Sequence, residues 1–250
     1  MFDFAQRSTE PELMDCPDSS GQLLSQTLRQ FEWINRYLTP SHRLLRRNVL
    51  KRMRAEPSRD WTMLDIGSGG CDLAIWLIGL CRQERISLVI TCIDHDTRVV
   101  EFARQLVKPY PEIILLQADA TILLADSPPQ HWDFIFSNHL LHHLTTPDVI
   151  HLLRQVVFAC RVQCIMSDLV RSRLNYFLYS ACAKLLLRHS FAYEDGRLSI
   201  RRSLTLEEAS RLVAEDPGLK SLCVQSMFPG HLVFSKPASS RLFCRPEPSS

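Results

Sequence analysis

Apolar and polar positions change period several times along the chain, and each change marks an element. Leu23, Leu24, Leu28, Phe31, Ile34 and Leu38 recur at helical spacing, which predicts an amphipathic helix over 19–38. Ser19 or Ser20 can cap it, and Thr39-Pro40 ends it. Ser41 can cap a second helix over 42–53. Past Glu56-Pro57-Ser58, short β-favouring runs alternate with helical ones. Residues 62–66, 87–93, 113–117, 133–137 and 162–167 read as strands, and 71–82, 97–107 and 148–158 as helices. The run 87–93 is continuously apolar and β-branched, as in strands buried on both faces. Five strands alternating with helices predict a parallel sheet with right-handed crossovers.

After the fifth strand the pattern changes. Residues 174–191 are long and mostly apolar, carrying Tyr176, Phe177, Tyr179 and three successive leucines from Leu185. Two readings stand: plain core, or a lid over a ligand, the latter favoured by its place just beyond a strand's carboxyl end. A polar turn is expected at Glu194-Asp195-Gly196-Arg197. Thr205-x-x-Glu208 is a capping box opening a helix through Val213. Strands 219–227 and 231–235 are joined only by Phe228-Pro229-Gly230, a connection that permits only an antiparallel pair. The expected fold is therefore α/β: a doubly wound, Rossmann-like sheet of seven strands, mostly parallel with a C-terminal antiparallel hairpin, plus N-terminal helices. Its parts are a helical segment over 1–57 on the cap or substrate side, an α/β domain over 58–237 with a lid-like insertion at 172–203, and a disordered tail over 238–250. Residues 1–18 are polar and irregular, with Pro11 and Pro17 as breakers.

Composition narrows the partners. The chain has 250 residues, 46% of them hydrophobic, enough for one full α/β core. The net charge of +2, with both signs interspersed, leaves no basic footprint for nucleic acid. The arginine-rich face of 42–53 reads as solvated, or as a surface for an acidic ligand or a membrane. Nine cysteines, an odd count without C-x-x-C, argue for a reducing, cytoplasmic setting and against a disulfide framework or zinc site. With no apolar run of ~18 residues, membrane contact is expected to be peripheral at most. A monomer and a homodimer are both compatible.

The chemistry gathers at Met63-Leu64-Asp65-Ile66-Gly67-Ser68-Gly69-Gly70, where a strand ends in glycines before a helix. Missing Cβ atoms admit a ligand close to the backbone, whose free N–H groups can donate to it. The dinucleotide fingerprint is incomplete, because its third glycine would fall at Asp72. An aspartate there repels a pyrophosphate and suits a cationic or zwitterionic ligand. Asp94 ends the second strand 24 residues past Gly70, with His95 beside it. Its carboxylate can accept from both hydroxyls of a ribose; capping the next helix fits Asp96 better. Asp119-Ala120 ends the third strand and Asn138-His139 the fourth. Asp65 is the one charge inside a buried run and needs hydrogen-bonded or cationic partners.

Leu64-Asp65-Ile66-Gly67-Ser68-Gly69-Gly70, Asp94, Ala118-Asp119-Ala120 and Ser137-Asn138-His139-Leu140-Leu141-His142-His143-Leu144 together resemble class I S-adenosylmethionine-dependent methyltransferases. The double histidine resembles the ubiquinone and menaquinone biosynthesis branch. Arg7-Ser8-x-x-Pro11-Glu12-x-Met14-Asp15, with Ile34-Asn35-Arg36, resembles methyltransferases of type III polyketide or phenolic-lipid pathways. The resemblance covers roughly 58–236. It implies S-adenosyl-L-methionine as cofactor, with Asp65, Gly67, Ser68, Gly69, Gly70, Asp94, His95, Asp119, Ala120 and Asn138 around it. In it Asp119 accepts from the adenine amino group, the Ala120 N–H contacts the ring, and Asn138 lies near the methionine moiety.

The implied reaction is O- or C-methylation of a small lipophilic acceptor, phenolic, quinol-like or polyketide-like. His143, His142, His139 and Tyr176 are the catalytic candidates, since a phenol must lose a proton and histidine titrates near neutrality. The double histidine also has a packing reading, as part of a motif shared by enzymes with different acceptors. Arg171, Arg173 and Tyr176 could bind an acidic or phenolic group. No metal is expected, because no carboxylate accompanies the histidines at a known ligand spacing. The rivals are a protein or RNA methyltransferase and a non-catalytic cofactor-fold subunit. The missing basic stripe and the absence of Asn-Pro-Pro-Tyr weigh against the first, the intact glycines and acids against the second.

Overall fold

Strands β1 (Trp61–Ile66), β2 (Leu88–Asp94), β3 (Ile113–Gln117), β4 (Trp132–Asn138) and β5 (Cys160–Leu169) run parallel in the computed structural model. The model describes residues 4–16, 18–187 and 189–236; the tail expected over 238–250 lies outside them. β6 (Cys223–Met227) and β7 (His231–Ser235) form the expected hairpin, and β7 pairs antiparallel with β5. The sheet order is β3-β2-β1-β4-β5-β7-β6. The order reverses beside β1, and ligand crevices of open α/β sheets lie at such a point.

Both faces of the sheet are covered, which is why the central strands read as unbroken apolar runs. Trp61, Met63, Phe134 and Phe136 pack on one side with α4 (Asp72–Glu84), α5 (Thr97–Val107) and the helical stretch 41–54. That stretch comprises α2 (Ser41–Leu44), a π-type middle (Leu45–Leu50) and α3 (Lys51–Arg54). Leu64, Ile66, Ile135 and Met166 face the other way, onto α7 (Thr146–Ala159) and α10 (Leu206–Glu215). Alternation along β1 thus sends Asp65 to the same side as Met63, towards α4 and α1 (Gly21–Tyr37). α6 (Ala120–Ala125) follows β3.

Three of the caps read from sequence are made, whereas Ser41, expected to cap the second helix, lies inside α2 after Pro40 and makes no cap bond; its Oγ donates to Asn138 instead. Ser20 accepts from Leu23 N, Asp96 from Arg98 N, and Thr205 and Glu208 form a reciprocal capping box. Two further expectations are corrected. The strand expected over 219–227 begins only at Cys223, because Asp216 accepts from Gly218 N and winds Pro217–Leu219 into a 3-10 turn that buries Leu219. Glu194-Asp195-Gly196-Arg197 is no turn but the interior of α9 (Ala192–Arg202), packed against α8 (Arg173–Leu186). Gly196 is there because the Tyr179 ring lies against its Cα; a Cβ would collide with the phenol.

Candidate functional site

At the carboxyl end of β1 the chain turns through Gly67 (φ 66°) and Gly69 (φ 54°), a backbone region costly for other residues. Gly67 N and Ser68 N donate to Ile93 O at 2.9 and 3.0 Å. Gly69 N donates to Asp94 Oδ2 at 3.1 Å, and Asp96 N to Asp94 Oδ1 at 3.1 Å. Asp94 therefore locks the glycine turn to the end of β2. A Cβ on Gly69 would project into open space, with Leu28 4.0 Å away. That space is a cavity of about 970 Å³. All ten residues expected around the cofactor line it.

Three aspartates converge on this end. Asp65 is buried, and desolvation, reinforced by the charges of Asp72 and Asp94, pushes its carboxyl up to about 8. Burial lifts Asp72 to about 6, against a hydrogen bond from Asn35 that lowers it. Asp94 is raised by burial too, against its two backbone bonds. A cation among these three carboxyls would lower all three and favour their charged forms. Asn35, on α1, is the connector. Its Nδ2 donates to Asp72 at 3.1 Å, and its Oδ1 accepts from Asn138 Nδ2 at 3.1 Å. Ser41 Oγ donates to Asn138 Oδ1 at 2.9 Å. Asn138 thus presents its side chain to the N-terminal helices.

Asp119 caps α6, accepting at Oδ1 from Thr121 N at 2.7 Å and Ile122 N at 3.3 Å. The same carboxylate lines the cavity, so capping fixes its direction and does not exclude a ligand. His95 is exposed at the rim, its Nδ1 3.8 Å from Asp94 Oδ1.

The far end of the cavity is apolar, with Phe31, Leu38, Leu174, Leu178 and Phe228 on its wall. α8 turns Leu174, Asn175, Leu178, Tyr179 and Cys182 inward, one helical stripe. Tyr176 is not on that stripe. It is buried against Phe4 (ring centroids 5.4 Å apart) and accepts a hydrogen bond from Arg197, which corrects its expected place at the acceptor. Arg171 is likewise engaged elsewhere, donating to the Phe4, Ala5 and Ser203 carbonyls.

The three histidines of the β4 turn line the cavity in different states. His139 (φ 60°) sits with Nε2 2.9 Å from His231 Nε2. Burial, then the charge of His231, push it down to about 3. His142 is buried, its Nδ1 2.6 Å from Asp168 Oδ1. Asp168 lies well below the usual carboxylate range, because the charge and hydrogen bond of His142 overcome its burial. His143 Nδ1 is 3.1 Å from Asp15 Oδ2. Burial opposes charge on His143, but Asp15 and Glu12 outweigh it and raise its pKa.

The N-terminal segment completes this corner, and sequence reasoning, which expected residues 1–57 on the substrate side, missed which side chains they bring there. Arg7 donates to the carbonyls of Leu141, His142 and Leu144, and Arg202 to those of His142 and His143. Glu12 is buried between the two histidines and accepts from Ser199 Oγ at 2.8 Å. The available signal was Pro11-Glu12-x-Met14-Asp15 in an otherwise irregular stretch.

Residues 63–162 match the family model of a methyltransferase domain. The fold is a methyltransferase fold. A protein of Methanococcus maripaludis described as an S-adenosyl-L-methionine-dependent methyltransferase superposes at a TM-score of 0.57 with 14% identity, over 96% of this chain and 100% of that one. Human N-acetylserotonin methyltransferase, crystallised with S-adenosylmethionine, gives 0.58 and 15% over 88% of this chain and 57% of that one. A plantazolicin methyltransferase, crystallised with a desmethyl substrate analogue and S-adenosylhomocysteine, gives 0.58 and 15% over 86% and 94%. No curated protein matches the chain in sequence. On this methyltransferase fold the cavity opens at the carboxyl ends of β1 to β4. Among the described residues no helix is long and apolar enough to cross a membrane.

Proposed function

We propose that this methyltransferase moves a methyl group from S-adenosylmethionine to a small lipophilic acceptor, a phenolic, quinol-like or polyketide-like oxygen or carbon. The enzyme class and cofactor follow from the matched domain and the glycine turn. The observation that carries the acceptor is the cavity's continuity. One space runs from the glycine turn and three aspartates to an apolar chamber under α8. Asp65 and Asp72 would face the ammonium and sulfonium end, Asp94 the ribose hydroxyls, and Asp119 with the Ala120 N–H the adenine. The sulfonium is already activated, so the chain's main work is to hold the acceptor in line and exclude water. Residues 172–203 act as the lid, and the N-terminal helical segment as the side wall. The double histidine and the apolar chamber favour the quinone or polyketide branch over a macromolecular acceptor.

His139 is too weakly basic, near 3, to take a phenol's proton. Tyr176 is a packing residue in this reading. His142 and His143 remain at the acceptor side of the cavity.

Incubation with S-adenosylmethionine and a panel of alkylphenols, quinols, hydroxy-pyrones, peptides and RNA tests the proposal. Mass spectrometry should show one added methyl on lipophilic members. Leu178→Ala should lower turnover on them while S-adenosylhomocysteine affinity stays within about 0.5 kcal/mol, the scale for changes away from a ligand's contacts. Methylation confined to peptide or RNA would overturn the acceptor class.

A further inference from the structure

We propose that Glu12, His142 and His143 form a binding site for one divalent transition-metal ion of the zinc class on the acceptor side of the cavity. Their donor atoms lie within 4.8 Å of one another. Glu12 Oε1 is 3.5 Å from His142 Nε2, and Glu12 Oε2 is 3.9 Å from His143 Nε2. Both separations exceed an N–H···O hydrogen bond. An ion about 2.1 Å from each ligand separates tetrahedral donors by roughly 3.4 Å, so the two Glu12–histidine pairs stand near coordinating distance, while the widest pair of the three must close by up to about 1.4 Å. The spacing is too long for hydrogen bonds, within reach of an ion pair, and near that of ligands sharing one ion.

The outer contacts point the same way. Metal-bound histidines give their second ring nitrogen to a carboxylate, which fixes the tautomer and aims the other nitrogen at the ion. Both histidines do this. His142 Nδ1 meets Asp168 Oδ1 at 2.6 Å, and His143 Nδ1 meets Asp15 Oδ2 at 3.1 Å. Each Nε2 is left facing Glu12. The carboxylate of Glu12 is steadied in turn by Ser199 Oγ at 2.8 Å. Arg7 and Arg202, the nearby cations, are spent on main-chain carbonyls of the same turn.

Two imidazoles and one carboxylate are the ligand set of catalytic zinc, which keeps a further position open. Magnesium is excluded by its demand for oxygen ligands. All three residues line the cavity, so an ion there is reached from the acceptor's side. Resting on the proposed function, its role would be to bind the acceptor's hydroxyl oxygen and lower that hydroxyl's pKa, so that the proton passes to solvent water before the methyl is transferred, without His139 or Tyr176 as base. This also reverses the expectation of no metal: the missing carboxylate comes from Glu12, about 130 positions before the histidines.

The test is binding of the metal alone to the whole chain, with no acceptor or cofactor, so that it can fail independently of the methyltransferase reading. The metal-stripped protein is titrated with zinc against a chromophoric chelator, and with cobalt by absorption. One equivalent of zinc should bind. The cobalt spectrum should show nitrogen and oxygen ligation without the thiolate band of a cysteine site. Glu12→Gln and His143→Gln should each lower zinc affinity by at least about 100-fold, and Asp15→Asn by about 10–100-fold as an outer contact. Circular dichroism checks that each variant folds, and the wild-type cobalt spectrum reads the ligands without any variant. Absence of stoichiometric zinc binding, thiolate ligation in the cobalt spectrum, or affinity unchanged in the folded Glu12 and His143 variants would overturn the site.

Discussion

Asp65 is the residue at which burial bears most directly on the proposed choice of ligand. Among the described residues its pKa is set by burial and by the charges of Asp72 and Asp94, with no cation among the causes. At pH 7 it is protonated in the free protein, since burial holds it near 8. A folded pKa raised above the unfolded value means its stabilising contribution is complete below about pH 4 and is lost as pH rises through about 8. A cationic ligand reverses the balance and drives the proton off. S-adenosylmethionine binding at pH 7 should therefore release up to one proton, and affinity should rise between about pH 6 and pH 8. Calorimetry in buffers of different ionisation enthalpy reads this directly. Asp65→Asn should remove most of the buffer dependence, leaving the smaller share of Asp72 and Asp94; a wild-type enthalpy already independent of buffer would contradict it. The role was partly legible, because a lone charge inside an apolar strand is visible in sequence. The neighbour that raises it further, Asp72, was legible as the residue replacing the third glycine.

At the scale of elements, legibility followed periodicity. The five parallel strands and the caps at Ser20, Asp96 and Thr205 are local patterns, and they stand where the pattern put them. α9 was misread because its first turns are polar and hold a glycine, which in sequence reads as a turn. The real cause is tertiary: Tyr179 on α8 occupies the space a side chain at 196 would fill. The expectation of Tyr176 at the acceptor failed likewise, since Tyr179, three residues on, shares nearly the same helix face until the partners of each are known. Gly196→Ala should prise α8 from α9 and destabilise the protein by about 1–3 kcal/mol, the usual cost of overpacking. Thermal or urea denaturation checks this. Unchanged stability would mean that the two helices do not pack tightly.

For the whole molecule, the sheet supplies a crevice and the two ends of the chain complete it. α1 brings Asn35 to Asp72 and Asn138, and the segment before it brings Glu12 and Asp15 to the double histidine. These contacts join residues 37 to about 130 positions apart, and no local period encodes them. The cofactor end was legible because its residues cluster at strand ends, whereas the acceptor end was not, because its polar groups come from an irregular N-terminal stretch. The central claim is that the glycine turn and its aspartates bind an adenosyl amino acid and not a dinucleotide. Calorimetric titration with S-adenosylhomocysteine tests it most directly. One equivalent should bind to the wild type, none to Gly69→Val, whose side chain would fill the ligand's space and strain φ, and NAD should bind to neither. Tight NAD binding, or S-adenosylhomocysteine affinity that survives Gly69→Val, would contradict the account.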